Sequence, residues 1–246
     1  MTTTTLHREY HRWHSDHLGR DMELLVHGHA GAKVLVFPTR YARFHEYENL
    51  RIVEALRPKL DAGQLQLFCV DSVDEEAFYN AAAHPADRVL RHLAYEQYVL
   101  NEVLPFMDSV NDNPYTIAHG CSMGAFHAAN IAFRHPDRFH KLAAFSGRYD
   151  PTLSIEHFQD LLDGHRDENV FSNSPVYYLP HVDGWKLDAL RRMEITLVIG
   201  REDPFLENNH LLSRILWSKG VAHQLVEWDD RAHRGYYWRR MAPLYV

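Results

Sequence analysis

Short apolar runs alternate with segments of helical periodicity along most of the chain, and this alternation restricts the possible folds more than any other feature of the sequence. The run Val34–Phe37 is continuously apolar, and Ile195–Gly200 is apolar except at Thr196, as in strands that are buried on both faces. Apolar residues recur at steps of three and four in Glu46–Leu60 and His92–Asp108, which indicates helices. The alternation predicts an α/β fold, a mostly parallel sheet with helices on both faces.

Eight strands are predicted from these runs. They are Arg8–His14, Met22–His27, Val34–Phe37, Leu65–Val70, Tyr115–His119, Lys141–Phe145, Glu194–Gly200 and His223–Trp228. The first two flank Gly19 and are expected to form an N-terminal antiparallel hairpin. Further helices are predicted over Ala125–Arg134, near Ile155–Leu162 and around His210–Trp217. No repeat or linker divides the sequence, so residues 1–246 are expected to form one domain, with a cap-like insertion at about 150–190.

Composition excludes several classes of protein. With 46% hydrophobic and 24% charged residues, the chain is neither disordered nor fibrous. No apolar run approaches the roughly 20 residues of a membrane-spanning helix, and a net charge of −7 argues against a nucleic-acid partner. Two cysteines, Cys69 and Cys121, cannot form a disulfide framework, and the Thr-rich start does not resemble a signal peptide. A cytoplasmic protein without membrane association is therefore expected.

One short motif gives the strongest indication of chemistry. Gly120-Cys121-Ser122-Met123-Gly124 matches G-x-S-x-G and lies between a predicted strand and an Ala-rich predicted helix. In a nucleophile elbow of this form, the serine stands in a strained turn and its small neighbours let strand and helix pass closely. The N-terminus of the helix then faces the negative charge that develops in the reaction. We therefore predict that Ser122 is a catalytic nucleophile.

A serine nucleophile needs a base that takes its proton and an acid that orients the base. With this type of elbow, the acid and then the histidine follow the serine along the chain. Asp203 comes directly after a predicted strand and is the predicted acid, with Glu202 as the close alternative. Of the 19 histidines, only His233 lies after the last predicted strand, so it is the predicted general base. Asp229 and Asp230 in the same loop are alternative orienting residues.

The negative oxygen of the reaction intermediate needs two backbone N–H donors. One is expected from Met123, directly after the nucleophile. The other is expected from the loop after Val34–Phe37, where Arg40 is the predicted donor. Thr39 and Tyr41 flank Arg40 and are predicted to contact the substrate.

Together, these features resemble the putative-esterase branch of the α/β-hydrolases, which includes esterase D, the feruloyl and acetylxylan esterases and the mycobacterial mycolyltransferases. The resemblance extends from about Leu24 to Tyr237. Besides the elbow, it rests on six segments that occur in the family's order. They are Val34-Leu35-Val36-Phe37-Pro38-Thr39, Cys69-Val70-Asp71-Ser72, Phe78-Tyr79-Asn80, Glu102-Val103-Leu104-Pro105, His135-Pro136-Asp137-Arg138-Phe139 and Phe145-Ser146-Gly147.

The resemblance implies an α/β-hydrolase fold and a serine esterase with Ser122, Asp203 and His233 as its triad, acting on a small acyl ester without metal or organic cofactor. Acyl transfer by the same triad and a non-catalytic binding protein of this fold are the alternatives. In one departure, the loop Thr39–Arg43 is bulky and basic where such enzymes often have small residues. These side chains are expected either to narrow the pocket or to bind an acidic acyl group.

Two further groups of residues have more than one interpretation. The histidines of the N-terminal segment would converge on a helix but not on the predicted strand, so a His-rich metal protein is a weaker alternative; they are His7, His11, His14 and His17. Aromatic residues of the insertion either line the pocket, with Tyr177 as the predicted substrate contact, or pack the insertion; they are Tyr177, Tyr178 and Trp185. Those after His233 are expected to cover its loop or to contact a second copy in a homo-oligomer; they are Tyr236, Tyr237 and Trp238.

Overall fold

The computed structural model describes residues 6–246 and contains eight strands that belong to one sheet. The strands are β1 (Arg8–Ser15), β2 (Arg20–His27), β3 (Ala32–Phe37), β4 (Leu65–Val70), β5 (Thr116–Cys121), β6 (Lys141–Phe145), β7 (Glu194–Gly200) and β8 (Gln224–Trp228). Their order across the sheet is β1-β2-β4-β3-β5-β6-β7-β8. All eight predicted strands are present, with ends that differ from prediction by at most two residues.

The strand directions agree with the predicted mixed sheet. β1 and β2 form the antiparallel hairpin, and β2 is also antiparallel to β4. From β4 to β8 every neighbouring pair is parallel. The carboxyl ends of β3, β5, β7 and β8 therefore lie along one edge of the sheet, which is where ligands bind in open α/β sheets.

Within residues 6–246, ten α-helices cover the sheet. They are α1 (Glu46–Asn49), α2 (Ile52–Asp61), α3 (Pro85–Tyr98), α4 (Leu104–Val110), α5 (Met123–Arg134), α6 (Glu168–Ser172), α7 (Pro175–Tyr178), α8 (Gly184–Leu190), α9 (Leu206–Ser218) and α10 (Gly235–Tyr245). A π-helical segment, Val99–Val103, joins α3 to α4, and a 3₁₀ turn, Leu179–His181, follows α7. Among residues 6–246, no helix combines the length and apolarity needed to cross a membrane.

The central strands divide the apolar core into two layers. Leu35 and Phe37 of β3 face a cluster that includes side chains of α3, α5 and α9. Val34 and Val36 face the opposite cluster, to which α2 and α10 contribute. Because the β3 side chains from Val34 to Phe37 are buried on both faces, this part of the strand is a continuous apolar run rather than an alternating one.

The predicted helix near Ile155–Leu162 is wrong. Ile155 and Phe158 instead exchange two backbone hydrogen bonds in an isolated bridge. The Arg148 guanidinium donates hydrogen bonds to backbone carbonyls on both sides of this bridge, those of Leu153 and Gln159. The backbone N–H and C=O groups of Ile155 and Phe158 thus pair with each other and not in the i→i+4 pattern of an α-helix. The segment is therefore a loop that is organised around a buried arginine.

Candidate active site

Ser122 occupies the turn between β5 and α5 in a left-handed backbone conformation, with φ +56°. Its N–H donates to the Phe145 carbonyl at 2.8 Å, which fixes the turn to the neighbouring strand. A Cβ on Gly120 would lie 2.3 Å from the backbone of Gly124, and one on Gly124 would lie 2.2 Å from the Phe37 carbonyl oxygen. The motif therefore needs both glycines because three backbone segments meet around the serine.

A continuous hydrogen-bonded chain joins the three residues predicted as nucleophile, base and acid. His233 Nε2 lies 2.8 Å from Ser122 Oγ, and His233 Nδ1 lies 2.7 Å from Asp203 Oδ2. The second Asp203 oxygen accepts the Phe205 N–H at 3.0 Å. Because the carboxylate can only accept, Nδ1 carries the proton and Nε2 is left to accept from the Ser122 hydroxyl. The Asp203 side chain is fully buried and that of His233 is 12% exposed, so water hardly competes for these bonds.

The loops that carry Asp203 and His233 are held against each other. A Cβ on Gly200, the last residue of β7, would lie only 2.1 Å from the Arg231 carbonyl oxygen in the loop after β8. The Glu202 N–H donates to the Asp230 carbonyl at 3.1 Å. The absence of a side chain at Gly200 thus allows the loop after β8 to reach the acid.

The alternatives to the predicted acid have other positions. Glu202 is exposed. Asp229 accepts from Arg201 at 2.7 Å, and Asp230 accepts from the Tyr237 hydroxyl at 2.6 Å. Among the carboxylates of the described residues, only that of Asp203 hydrogen-bonds the imidazole of His233.

The two predicted N–H donors lie on adjoining elements. Met123 is the first residue of α5, so its N–H has no partner within the helix. The loop after β3 packs against the start of this helix, since a Cβ on Gly124 would lie 2.7 Å from the Pro38 carbonyl oxygen. Among residues 6–246 the Arg40 N–H makes no hydrogen bond. Neither N–H group thus has a hydrogen-bond partner among the described residues.

Thr39 has a different environment from the one predicted. Its N–H donates to the Glu46 carboxylate at 2.8 Å, and its hydroxyl donates to the same carboxylate. Burial raises the pKa of Glu46, while the two Thr39 bonds oppose that shift. Thr39 thus joins the loop after β3 to α1, and its hydroxyl is already engaged in a hydrogen bond to Glu46.

Tyr41 and Arg40 pack with Tyr79, which lies against Met123 and which sequence reasoning did not identify as a site residue. Tyr41 is 53% exposed, and its ring centroid lies 5.1 Å from that of Tyr79. The Arg40 guanidinium lies over both rings, at 5.3 and 5.5 Å. The Tyr79 hydroxyl is 3.9 Å from Met123 Sδ. We name Arg40, Tyr41 and Tyr79 the tyrosine wall.

Aromatic rings also enclose the imidazole. The Phe205 ring lies 6.3 Å and the Trp238 ring 5.6 Å from His233. Trp238 is buried and donates to Ser146 Oγ at 3.1 Å. Trp238 thus covers the His233 loop, which was one of the two predicted alternatives. The next aromatic, Tyr237, is also buried.

Tyr177 is not brought to the triad. Its hydroxyl donates to Asp150 at 3.0 Å, and its ring stacks on Phe171 with centroids 6.3 Å apart. Tyr178 is buried, whereas Trp185 is 60% exposed. Other residues of the insertion belong to the same apolar cluster as Met123, the neighbour of Ser122; they are Leu161, Leu162 and Val170.

His119 and Cys121 lie behind the elbow, fully buried. His119 Nδ1 donates to the Ala143 carbonyl at 2.6 Å, and Nε2 lies 3.0 Å from the Tyr47 hydroxyl. Burial lowers the pKa of His119 to about 4. Both side chains are therefore packed in the core behind the elbow. Within residues 6–246, no group of three or more His, Cys, Asp or Glu side chains is arranged to hold a metal.

Ser122 lies in the turn after β5, and the loops after β7 and β8 bring Asp203 and His233 to it. This arrangement, on a mostly parallel sheet, places the protein among the α/β-hydrolases. More narrowly, the chain belongs to the putative esterase family, whose model matches residues 47–241. No curated protein is significantly similar in sequence.

Solved structures share the fold over nearly the whole chain. A ferulic acid esterase superposes with a TM-score of 0.76 at 17% identity, covering 97% of this chain and 95% of its own. An S-formylglutathione hydrolase from Agrobacterium tumefaciens gives 0.75 at 18% identity, with coverages of 96% and 92%. FphF, a fluorophosphonate-binding serine hydrolase from Staphylococcus aureus, gives 0.74 at 16% identity, covering 98% of each chain. Family membership and fold together support an esterase.

Proposed function

We propose that this protein is a serine esterase that hydrolyses carboxylic esters through an acyl-enzyme formed on Ser122. The observation that carries the proposal is the hydrogen-bonded chain from Asp203 through His233 to the Ser122 hydroxyl, with links of 2.7 and 2.8 Å. Packing alone does not require that a buried carboxylate, an imidazole and a strained serine be joined by hydrogen bonds in this way. Membership of the esterase family is consistent with it.

In the first half of the reaction, Ser122 Oγ forms a bond to the ester carbonyl carbon while His233 Nε2 takes the hydroxyl proton. The carbonyl oxygen becomes an oxyanion, and the N–H groups of Met123 and Arg40 are the proposed donors to it. When the carbon–oxygen bond to the alcohol breaks, His233 returns its proton to the leaving oxygen. Asp203 stabilises the imidazolium throughout.

In the second half, water takes the place of the alcohol. His233 accepts a proton from water, whose oxygen attacks the acyl carbon, and Ser122 leaves with the proton that the imidazole held. The free carboxylic acid is released and the serine is regenerated. These steps use only side chains and N–H groups of this chain.

The proposal is tested with a series of p-nitrophenyl esters from acetyl to octanoyl. The wild type is expected to release p-nitrophenol, and Ser122→Ala is expected to lower kcat by at least about 10³-fold, since the base then has no nucleophile to activate. Ser109→Ala is a matched control, because Ser109 is exposed and bonds only the Phe106 carbonyl. Wild-type activity in Ser122→Ala, or no hydrolysis of any ester by the wild type, would overturn the proposal.

A further inference from the structure

A buried hydrogen-bonded pair lies next to the elbow and has no part in the proposed reaction. His127 belongs to α5 and Asp74 to the loop after β4, and their side chains are only 3% and 1% exposed. His127 Nε2 donates to Asp74 Oδ1 at 2.8 Å, since a carboxylate can only accept. Among the described residues, His127 Nδ1 and Asp74 Oδ2 have no hydrogen-bond partner. One side-chain hydrogen bond therefore joins the loop to the helix at this point.

The same loop contacts α5 at a second point, one helical turn closer to the nucleophile. Tyr79 lies in this loop, and its hydroxyl is 3.9 Å from Met123 Sδ. Met123 and His127 are four residues apart in α5, so they lie on one face of the helix, about 6 Å apart along its axis. The Tyr79 N–H donates to the Asp74 carbonyl at 2.9 Å. Tyr79 is thus bonded to the residue that holds His127.

The His127 ring also packs against the end of β3. Its centroid lies 5.9 Å from that of Phe37, the last residue of the strand. Arg40 comes three residues later, and its guanidinium lies 5.5 Å from the Tyr79 ring. The tyrosine wall is built from the loops after β3 and β4. His127 therefore packs on the residue at which the first of these loops begins and is hydrogen-bonded to the second.

We propose that Asp74 and His127 are positioning residues, which hold Tyr79 against Met123 so that the Tyr79 ring forms one side of the pocket for the ester. This inference rests on the proposed esterase function. Met123 follows the nucleophile and is a proposed oxyanion donor, so a ring held against it lies beside the reacting ester. Tyr79 is half-buried and its neighbour Tyr41 is exposed, so this part of the wall is open to a substrate. Asp74 and His127 are buried and act through Tyr79.

Asp74→Ala removes the acceptor and releases the loop from the helix. KM for p-nitrophenyl butyrate is expected to rise about tenfold, the scale of a lost contact in an apolar pocket. kcat is expected to stay within about twofold, because the catalytic hydrogen-bonded chain is not altered. Tyr79→Ala is expected to have the same effect on both constants. His127→Gln keeps an N–H donor near the position of Nε2, and its KM is expected to stay near the wild-type value.

Glu96→Ala is the matched control, because it breaks a buried contact to the other end of α5. Glu96 is buried and accepts from Arg134 at 2.8 Å, about two turns along the helix from His127. Both alanine variants are expected to have a lower Tm than the wild type, but only Asp74→Ala is expected to raise KM.

A second way of removing the hydrogen bond is available if Asp74→Ala does not fold. Asp74→Leu combined with His127→Leu replaces both partners with apolar groups and leaves neither polar group buried without a partner. The directional bond is lost in this variant as well, so the same rise in KM is expected.

Combining the loop variants separates positioning from general destabilisation. If Asp74 acts through Tyr79, adding Asp74→Ala to Tyr79→Ala is expected to change KM by less than about twofold further, since the two effects are not independent. Independent effects would instead multiply, to about a hundredfold. A multiplied effect would overturn the positioning role.

The outcomes distinguish this inference from the function on which it rests. If the wild type hydrolyses the ester in a Ser122-dependent manner, but KM is unchanged in Tyr79→Ala or in the folded variants that lack the hydrogen bond, the positioning role is wrong and the esterase proposal stands. An equal rise of KM in Glu96→Ala, or a loss of kcat in place of the rise in KM, also overturns the role. If the wild type hydrolyses no p-nitrophenyl ester, the esterase proposal fails and the inference fails with it.

Discussion

Ser122 adopts a backbone conformation that L-residues avoid, and the contacts around it explain why it persists. A φ of +56° costs a residue of this kind of order 1–3 kcal/mol. The hydrogen bond from its N–H to the Phe145 carbonyl and the close backbone contacts at Gly120 and Gly124 hold the turn in this conformation. The turn places the hydroxyl at the carboxyl edge of the sheet, where the imidazole of His233 reaches it.

Asp203→Asn tests the orientation of the imidazole. Without a carboxylate, the preference for a proton on Nδ1 is lost, and we expect kcat for ester hydrolysis to fall by roughly 10³-fold or more. Glu202→Gln is the matched control, because Glu202 is adjacent but exposed, and its activity is expected within about twofold of wild type. If Glu202→Gln were the impaired variant, the choice of Asp203 as the acid would be wrong.

The sequence predicted Ser122, Asp203 and His233 from their order along the chain and from their positions directly after predicted strands. It did not predict that Tyr79 lies against Met123 or that Arg148 is buried. Tyr79 meets Met123 across 44 positions of sequence, and nothing in its neighbourhood marks that contact. Arg148 follows a strand like many surface arginines, and only the fold shows that it is buried.

At the scale of elements, the contact between the loops after β7 and β8 determines the distance between His233 and Asp203. Gly200 ends β7 where the carbonyl oxygen of Arg231 passes at a distance that excludes a Cβ. The close passage brings the His233 loop to the carboxylate of Asp203. The site therefore depends on a glycine that takes no part in the chemistry.

Gly200→Ala is expected to push the His233 loop away from Asp203. A displacement of about 1 Å at a catalytic group can cost around 10²-fold, so we expect a loss of that size in kcat/KM for p-nitrophenyl acetate. Gly184→Ala is the comparison, because a Cβ at Gly184 meets nothing within 4 Å. Its positive φ predicts a loss of about 1 kcal/mol in stability with activity retained. Equal activity in the two variants would contradict the argument.

Hydrophobic periodicity predicted the presence of the two longest helical regions, but not where they begin or are interrupted. The helix predicted over Glu46–Leu60 is divided at Arg51, which is left-handed with φ +60°. The helix predicted over His92–Asp108 starts earlier, at Pro85, and passes through a π-helical segment. The loop around Ile155 follows from Arg148, so its conformation depends on a side chain outside the segment.

At the scale of the whole molecule, buried neutral histidines make the fold sensitive to acid. Burial lowers the pKa of His27 and His119 to about 4 and that of His92 to about 3. In the unfolded chain a histidine titrates near 6.5. Since the folded pKa values are lower, the unfolded state binds more protons, and the stability from neutral histidines is full above pH 6.5 and is lost as pH falls toward 4.

The free energy of unfolding is therefore expected to decrease from pH 6.5 to pH 4, as measured by urea denaturation at each pH. His119→Gln, which keeps an amide able to bond Ala143 and Tyr47, is expected to reduce this decrease by an amount on the order of 3 kcal/mol. An identical pH dependence in the variant and the wild type would show that His119 does not contribute to the acid sensitivity.

The measurement that most directly tests the central claim is the mass of the protein after reaction with a fluorophosphonate, followed by peptide mapping. An activated serine displaces fluoride and forms a phosphonate ester, so we expect one adduct per chain, on the peptide that contains Ser122. The adduct should be absent from Ser122→Ala and much slower to form in Asp203→Asn. No adduct on the folded wild type, or an adduct at another residue, would contradict the account.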